Sequence, residues 1–387
     1  MKTNHHFFFK NAVNMTEVAT ESVGLVVTSP PYPMIAMWDE MFSMQNEKIA
    51  AALKEGRRLD AFELMNSELD NVWDEVYRVL IPGGFACINI GDATRSIDSH
   101  FMLYPNHSRI TSYMLNIGFT PLPEILWRKQ SNAPNKFMGS GMLPAGAYVT
   151  QEHEYILIFR KGEKREFQSD QDKMARRGSA FFWEERNNLF SDIWTDLLGT
   201  RQKVQDNESR KRSAAFPFEL PYRLINMYSA KDDVILDPFG GLGTTMFAAM
   251  TAGRNSISYE IADAFKKQIA AGTESLLTFA NDHINRRLEN HVAFVDERIT
   301  SGKIIKHYNE HYGFPVMTAQ ERELVLNEPV DVKTTCDLSF QVRYKESAQS
   351  DYYYEKQTAG ISPESQKAIP KKRRTKKNPA VQLNLFD

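Results

Sequence analysis

The chain has 387 residues, 42% of them apolar and 25% charged, enough for one large domain or two ordinary ones with a sizeable core. Its net charge of -2, from 47 basic and 49 acidic side chains, excludes nucleic-acid binding by bulk charge, so any such contact must come from local patches. Two distant cysteines, Cys87 and Cys336, exclude a disulfide framework or a cysteine-built zinc site, and no apolar run is long enough for a membrane span or a secretory signal.

In chain order, His5–Phe9 reads as a short strand ended by Lys10-Asn11. The run Leu25-Val-Val-Thr-Ser-Pro-Pro-Tyr-Pro33 reads as a buried strand that stops in a rigid loop, because neither proline can donate to a ladder. Pro-Pro-Tyr serves equally as an ordinary strand-ending turn. It also offers free carbonyls, the hydroxyls of Thr28 and Ser29, and the flat face of Tyr32. Residues 39–80 read as helices with Leu69, Val72, Trp73 and Val76 on one face, stopped by Pro82-Gly83-Gly84. Phe85–Ile90 is a strand, Arg109–Ile117 a helix closed by Gly118, and Ile125–Trp127 and Glu154–Phe159 are further strands. Residues 161–212 carry many charges of both signs among aromatics.

The run Val234-Ile-Leu-Asp-Pro-Phe-Gly-Gly-Leu-Gly-Thr-Thr245 is a strand, a glycine-rich turn and a helix start. Such a turn lets the backbone approach a ligand and aims unpaired N–H groups at it, although many glycine turns serve packing alone. Asp237 ends this strand and Glu260 ends the next, about twenty residues on, where nucleotide-binding α/β proteins hold ribose hydroxyls. A helix cap and a solvated strand end are the plainer readings of these two acids. Alternation of strands and helices predicts an α/β fold, Rossmann-like and doubly wound around a mostly parallel sheet.

Asp237–Thr245 resembles the S-adenosylmethionine motif of DNA amino-methyltransferases, and Thr28–Tyr32 resembles their catalytic motif, in the permuted "beta" order of that family. Arg78–Gly84, Asn89–Asp92, Glu152–Phe159 and Phe216-Pro217 match as well. The resemblance implies a class I methyltransferase fold with an inserted recognition segment. It divides the chain into a catalytic half (1–160), a target-recognition segment (161–212) and a cofactor-binding half (213–275). Beyond these lie a C-terminal α+β appendage (276–345) and a disordered basic tail (346–387).

Carried over by residue, the resemblance implies that Ser29, Pro30, Pro31 and Tyr32 form the catalytic loop. Ser29 and the Pro30 carbonyl would orient an exocyclic amine of a flipped base, and Tyr32 would stack on that base. S-adenosyl-L-methionine would be held by Asn11, Thr28, Asp237, Pro238, Phe239, Gly241, Gly243, Thr244 and Glu260. Asn11 stands where relatives carry Asp. No metal and no covalent enzyme intermediate are needed. Serine at position 29 resembles the cytosine-N4 branch more than the adenine-N6 branch, and a catalytically silent DNA-binding module is a third reading.

The expected partner is double-stranded DNA, met by Arg176, Arg177, Arg201 and Lys203, unless these only form a solvated charged surface. A cognate restriction endonuclease would be a system partner, and the location a bacterial-type cytoplasm. Gln382-Leu-Asn-Leu-Phe-Asp387 follows the basic run Lys371–Lys377 and resembles the peptide that docks on the replication sliding clamp. There Gln382, Leu383, Leu385 and Phe386 would be the contacts, if the apolar terminus is not fortuitous.

Overall fold

The computed structural model describes residues 1–129, 138–139, 141–197 and 216–352. Its strands are β1 (Lys2–Phe9), β2 (Val23–Thr28), β3 (Leu80–Ile90), β4 (Ala93–Ile97), β5 (His100–Tyr104), β6 (Phe119–Arg128), β7 (Met138–Gly139) and β8 (Ala147–Tyr148). They continue with β9 (His153–Lys161), β10 (Ile193–Trp194), β11 (Val234–Asp237), β12 (Asn255–Glu260), β13 (His307–Tyr308), β14 (Pro315–Val316), β15 (Pro329–Cys336) and β16 (Ser339–Tyr344). One ten-stranded sheet has the order β10-β6-β9-β3-β2-β11-β12-β1-β16-β15. Its centre, β3-β2-β11-β12-β1, is all parallel, while β9 and β16 flank it antiparallel.

β2 is buried at every position, as a strand covered on both faces must be. Val26 points to the face covered by the helix Arg58–Val79, against a core that includes Leu69, Val72, Trp73 and Val76. Leu25 and Val27 point to the other face, against Leu220 and Leu224 of the helix Glu219–Tyr228 and Ala248 of the helix Thr244–Ala252. Fully burying side chains of this kind stabilises the fold by roughly 1.5–3 kcal/mol each. From β2 the chain crosses to β3 on one side, and from β11 to β12 on the other. The β2–β11 junction is therefore the point where the winding reverses, and ligands of such sheets bind beyond the strand ends there.

The expected division between a cofactor-binding half and a C-terminal appendage falls near residue 275. A single helix, Lys266–Thr300, runs through it, and the β15–β16 hairpin extends the main sheet by pairing with β1. The seam is polar yet buried: Thr3 Oγ1 lies 2.7 Å from His5 Nε2 and 3.0 Å from the Tyr344 hydroxyl, and His5 Nδ1 lies 2.8 Å from Ser256 Oγ. Burial pushes the His5 pKa down to about 3, so the ring is neutral there.

The described part of 161–212 is also built into the body. Its helix Asp170–Gly178 starts at a Ser169 capping box, and the helix Trp183–Leu189 is tied to the long helix by Glu185, which accepts from Arg287 at 2.7 and 2.8 Å. β10 then joins the sheet beside β6. A β4–β5 hairpin, absent from the sequence reading, leaves the end of β3. No helix among the described residues is long and apolar enough to cross a membrane.

Candidate active site

Four parallel strands end on one edge of the sheet, and each delivers a residue to the same cleft. Asn11 follows β1, Ser29, Pro30 and Pro31 follow β2, Asp237 closes β11 with residues 238–242 and Thr244 after it, and Glu260 closes β12. The cleft measures about 330 Å³, within the size range of small-molecule sites. Trp38, Met41 and Met44, from the helical segment after the Pro-Pro loop, give it an apolar flank that the sequence reading did not assign.

Asp237 is only 2% exposed, and its carboxylate is held by hydroxyl and amide donors. Thr28 Oγ1 donates to Oδ1 at 2.7 Å, Thr245 Oγ1 to Oδ2 at 2.6 Å, and the Phe239 amide to Oδ1 at 3.1 Å. A carboxylate has about four acceptor positions, so one remains on Oδ2. No Lys or Arg among the described residues is paired with it. Burial pushes the carboxyl up to about 6, against the hydrogen bonds of Thr245 and Thr28. Thr28, expected to touch a cofactor, is fully buried, and its hydroxyl donates to the Asp237 side chain.

Glu260 spans the two neighbouring loops. Its Oε2 accepts from the Gly241 amide at 2.9 Å and its Oε1 from the Ala262 amide at 2.8 Å, leaving acceptor positions open toward the cleft. Burial raises its pKa, and the amide hydrogen bonds oppose the rise. The glycine turn is fixed by packing and by its own hydrogen bonds. A Cβ at Gly240 would lie 2.8 Å from the Phe7 ring, and Gly243 caps the following helix at φ 80°. Gly241 and Gly243 were expected to offer their backbone to a cofactor. The Gly241 amide donates to Glu260 and the Gly243 amide to the Gly240 carbonyl, and of the two only Gly241 lines the cleft.

The Pro-Pro loop splits its side chains between two environments. Ser29 and the two prolines line the cleft, whereas Tyr32 turns toward β3 and β9 and is not part of that lining. Ser29 Oγ donates to the Tyr32 hydroxyl at 3.2 Å, and the Tyr32 hydroxyl donates to Glu154 Oε2 at 3.0 Å. Asn89 Nδ2 donates to both the Tyr32 hydroxyl and Glu154, each at 2.8 Å. Lys129 Nζ closes the set on Glu154 Oε1 at 2.8 Å. Burial, then the charge of Glu154, pushes the Tyr32 hydroxyl far above its ordinary range.

Glu154, Asn89 and Lys129 were not singled out from the sequence. A signal existed: Glu154 opens an apolar strand much as Glu260 closes one. Because β9 runs antiparallel to β3, its first residues lie at the same edge as the ends of the parallel strands.

Arg176 and Arg177 do not line the cleft. Arg177 pairs with Glu323 at 2.7 Å, and the Arg176 guanidinium lies 4.8 Å from the Phe167 ring centre. The helix that carries them packs near Lys231 and Val325, next to the loop that enters β11, which is the opposite edge of the sheet. Arg201, Lys203, Gln382, Leu383, Leu385 and Phe386 lie outside the described residues.

Comparison with known proteins accords with this geometry. A family model described as DNA methylase matches residues 23–271, a span that contains both loops of the cleft. The type II methyltransferase M.MthZI of Methanothermobacter thermautotrophicus is 51% identical over 347 residues, covering 89% of this chain and 96% of the relative. M.MjaI of Methanocaldococcus jannaschii is 51% identical over 275 residues, covering 68% and 89%. Among solved structures, a DNA modification methylase of Thermus thermophilus in complex with S-adenosyl-L-methionine is similar with a TM-score of 0.53 at 29% identity, covering 68% of this chain and 91% of that one.

Proposed function

Because the chain belongs to the N6/N4 DNA methylase family, we propose that it transfers a methyl group from S-adenosyl-L-methionine to the exocyclic N4 of cytosine in double-stranded DNA. The observation that supports this best is the sharing of one cleft by Ser29 and Pro30 with Asp237 and Glu260.

The cleft residues fit the cofactor. Asp237 keeps one acceptor position and has no cation partner among the described residues, which suits an ammonium group. Glu260 keeps acceptor positions for ribose hydroxyls, Phe239 and the methionines of the helical flank supply apolar surface, and Asn11 stands at the adenine end. When bound, the cofactor supplies a methyl group on a positively charged sulfur. Ser29 Oγ and the Pro30 carbonyl would accept hydrogen bonds from the two amine N–H groups of the target base, which turns the nitrogen lone pair toward that methyl. A base inside a duplex cannot reach this loop, so it flips out, at a cost of a few kcal/mol.

Serine at position 29 favours cytosine over adenine. Nucleoside analysis of DNA after reaction tests this directly: N4-methylcytosine is expected, and N6-methyladenine alone overturns it. The type II relatives suggest the modification half of a restriction system with a cognate endonuclease. Arg201 and Lys203 are proposed DNA contacts, and Gln382, Leu383, Leu385 and Phe386 a sliding-clamp peptide. Deleting residues 382–387 should abolish clamp pull-down and leave methylation of short duplexes intact.

A further inference from the structure

We propose that Glu154 is the end of a proton path that starts at the target amine and runs through Ser29 and Tyr32. The proposal rests on the amine-methylation reading above and assigns a part of that reaction to side chains outside the cleft lining.

The path is drawn by hydrogen-bond direction. Ser29 Oγ donates to the Tyr32 hydroxyl at 3.2 Å, and Tyr32 donates onward to Glu154 Oε2 at 3.0 Å. Ser29 has one proton, and that proton is already committed away from the cleft. Its oxygen therefore meets a base only as an acceptor, which is what an amine N–H requires. Asn89 fixes the far end, since one amide nitrogen holds both the Tyr32 hydroxyl and Glu154 at 2.8 Å. Gly91 closes the space around the ring, because a Cβ there would lie 3.0 Å from Tyr32 Cε2 and 3.4 Å from Glu154 Cγ. Lys129 holds the other oxygen of Glu154, whose side chain is 15% exposed and open to exchange with solvent.

Methylation of an exocyclic amine makes the nitrogen cationic, so a proton must leave. The nitrogen lone pair forms the new N–C bond while the C–S bond breaks and its electron pair stays on sulfur. The nitrogen then gives one proton to Ser29 Oγ as Ser29 passes its own to the Tyr32 oxygen and Tyr32 passes its own to Glu154. Ser29 and Tyr32 end neutral, and the net change is one proton moved from the amine to a carboxylate. Burial keeps Tyr32 protonated, so the transfer runs in concert without a phenolate. As positive charge grows on the nitrogen, the N–H···Oγ bond strengthens, and the charge of Glu154 is felt through the chain in the transition state.

Glu154→Gln tests the path because the amide preserves shape and acceptor oxygen while removing charge and proton affinity. Single-turnover methylation of a short duplex should fall about 100-fold, within the range of lost general-base catalysis, with KM for DNA and cofactor changed less than about threefold. Tyr32→Phe should cost a similar factor, and the double variant should be no slower than the slower single. A second readout needs no turnover. In protein labelled with ¹³C at tyrosine Cζ, the resonance missing from Tyr32→Phe should shift in Glu154→Gln without cofactor or DNA. Unchanged single-turnover rate in Glu154→Gln, an unmoved Tyr32 resonance, or a loss carried by KM alone overturns the path and leaves the methyltransferase reading standing. Absence of amine methylation by the wild-type protein overturns both.

Discussion

β11 has an aspartate at each end, and the fold treats them in opposite ways. Asp233, just before the strand, accepts from Arg165 Nη1 at 2.8 Å on both oxygens and from the Ala230 amide at 2.8 Å. Asp237, at the other end, receives two threonine hydroxyls and one amide but no cation. Both are largely buried, at 8% and 2% exposure, so burial does not separate them. What separates them is the edge of the sheet. The entering edge is saturated: Lys161 reaches the Leu80 carbonyl and Glu21, Lys231 the Val325 carbonyl, and Arg254 the Ser229 carbonyl. At the leaving edge the acid is held by neutral donors alone, which suits the cofactor ammonium group proposed above.

Exchanging each aspartate for asparagine tests that difference most severely. Asp237→Asn should weaken S-adenosyl-L-methionine binding about 100-fold, the loss of a charge-assisted contact in a desolvated site, without lowering the melting temperature. Asp233→Asn should do the reverse: it leaves Arg165 without its counter-charge and destabilises the fold by about 1–2 kcal/mol, moderated because Arg165 is 27% exposed. Its cofactor affinity, read by calorimetry, should stay within twofold. If Asp233→Asn weakens cofactor binding as much as Asp237→Asn, the two ends of β11 are not distinct.

A pH titration sharpens the same contrast. The Asp237 carboxyl is raised from 3.8 to about 6, so the ligand-free fold favours its protonated form. The stability this contributes is full below pH 3.8 and is lost as pH rises through about 6. Binding an ammonium group needs the ionised form, of which roughly one part in eleven is present one unit below that pKa. Cofactor affinity should therefore fall about tenfold from pH 8 to pH 5. Asp237→Asn should flatten most of that slope. A wild-type affinity that is constant across this range contradicts the assignment.

How far the sequence revealed this site depended on where the chemistry sat along the chain. The two loops were legible because each is contiguous: an apolar β-branched run ends at Thr28 or at Asp237 and gives way at once to prolines or glycines. Their meeting in one cleft followed from parallel strands. The Tyr32–Glu154–Asn89 contacts were not legible, since they join three strands through side chains whose polarity alone suggests a solvated surface. The pairing of the β15–β16 hairpin with β1 is hidden in the sequence for a similar reason. The hairpin reaches the sheet through Thr3, His5 and Tyr344, polar residues that burial and mutual hydrogen bonds turn into core. Helix 266–300 concealed the link further, because its first turns belong to the methyltransferase body and its later turns, with Ile284 and Leu288, build a second core with Phe182 and Phe314.

The smallest expected effect concerns charge at the saturated edge. Arg177 lies half exposed against Glu323 there, so Arg177→Ala should cost at most about 1 kcal/mol of stability and change KM for DNA less than twofold. A residue that truly neutralises a phosphate behaves differently, because its loss removes about one released counterion and flattens the dependence of binding on salt. Arg201→Ala, in the segment between Leu197 and Phe216, is expected to show that flattening. Phe216 lines the cleft and Leu197 accepts from the Trp127 indole at the end of β6, so both flanks of that segment stand at the leaving edge. Salt-dependent binding to a short duplex then separates the two arginines in one series. A reduced slope in Arg177→Ala with an unchanged slope in Arg201→Ala would move the DNA to the side of the sheet where Lys161, Lys231 and Arg254 already have partners, and the division between the edges would fail.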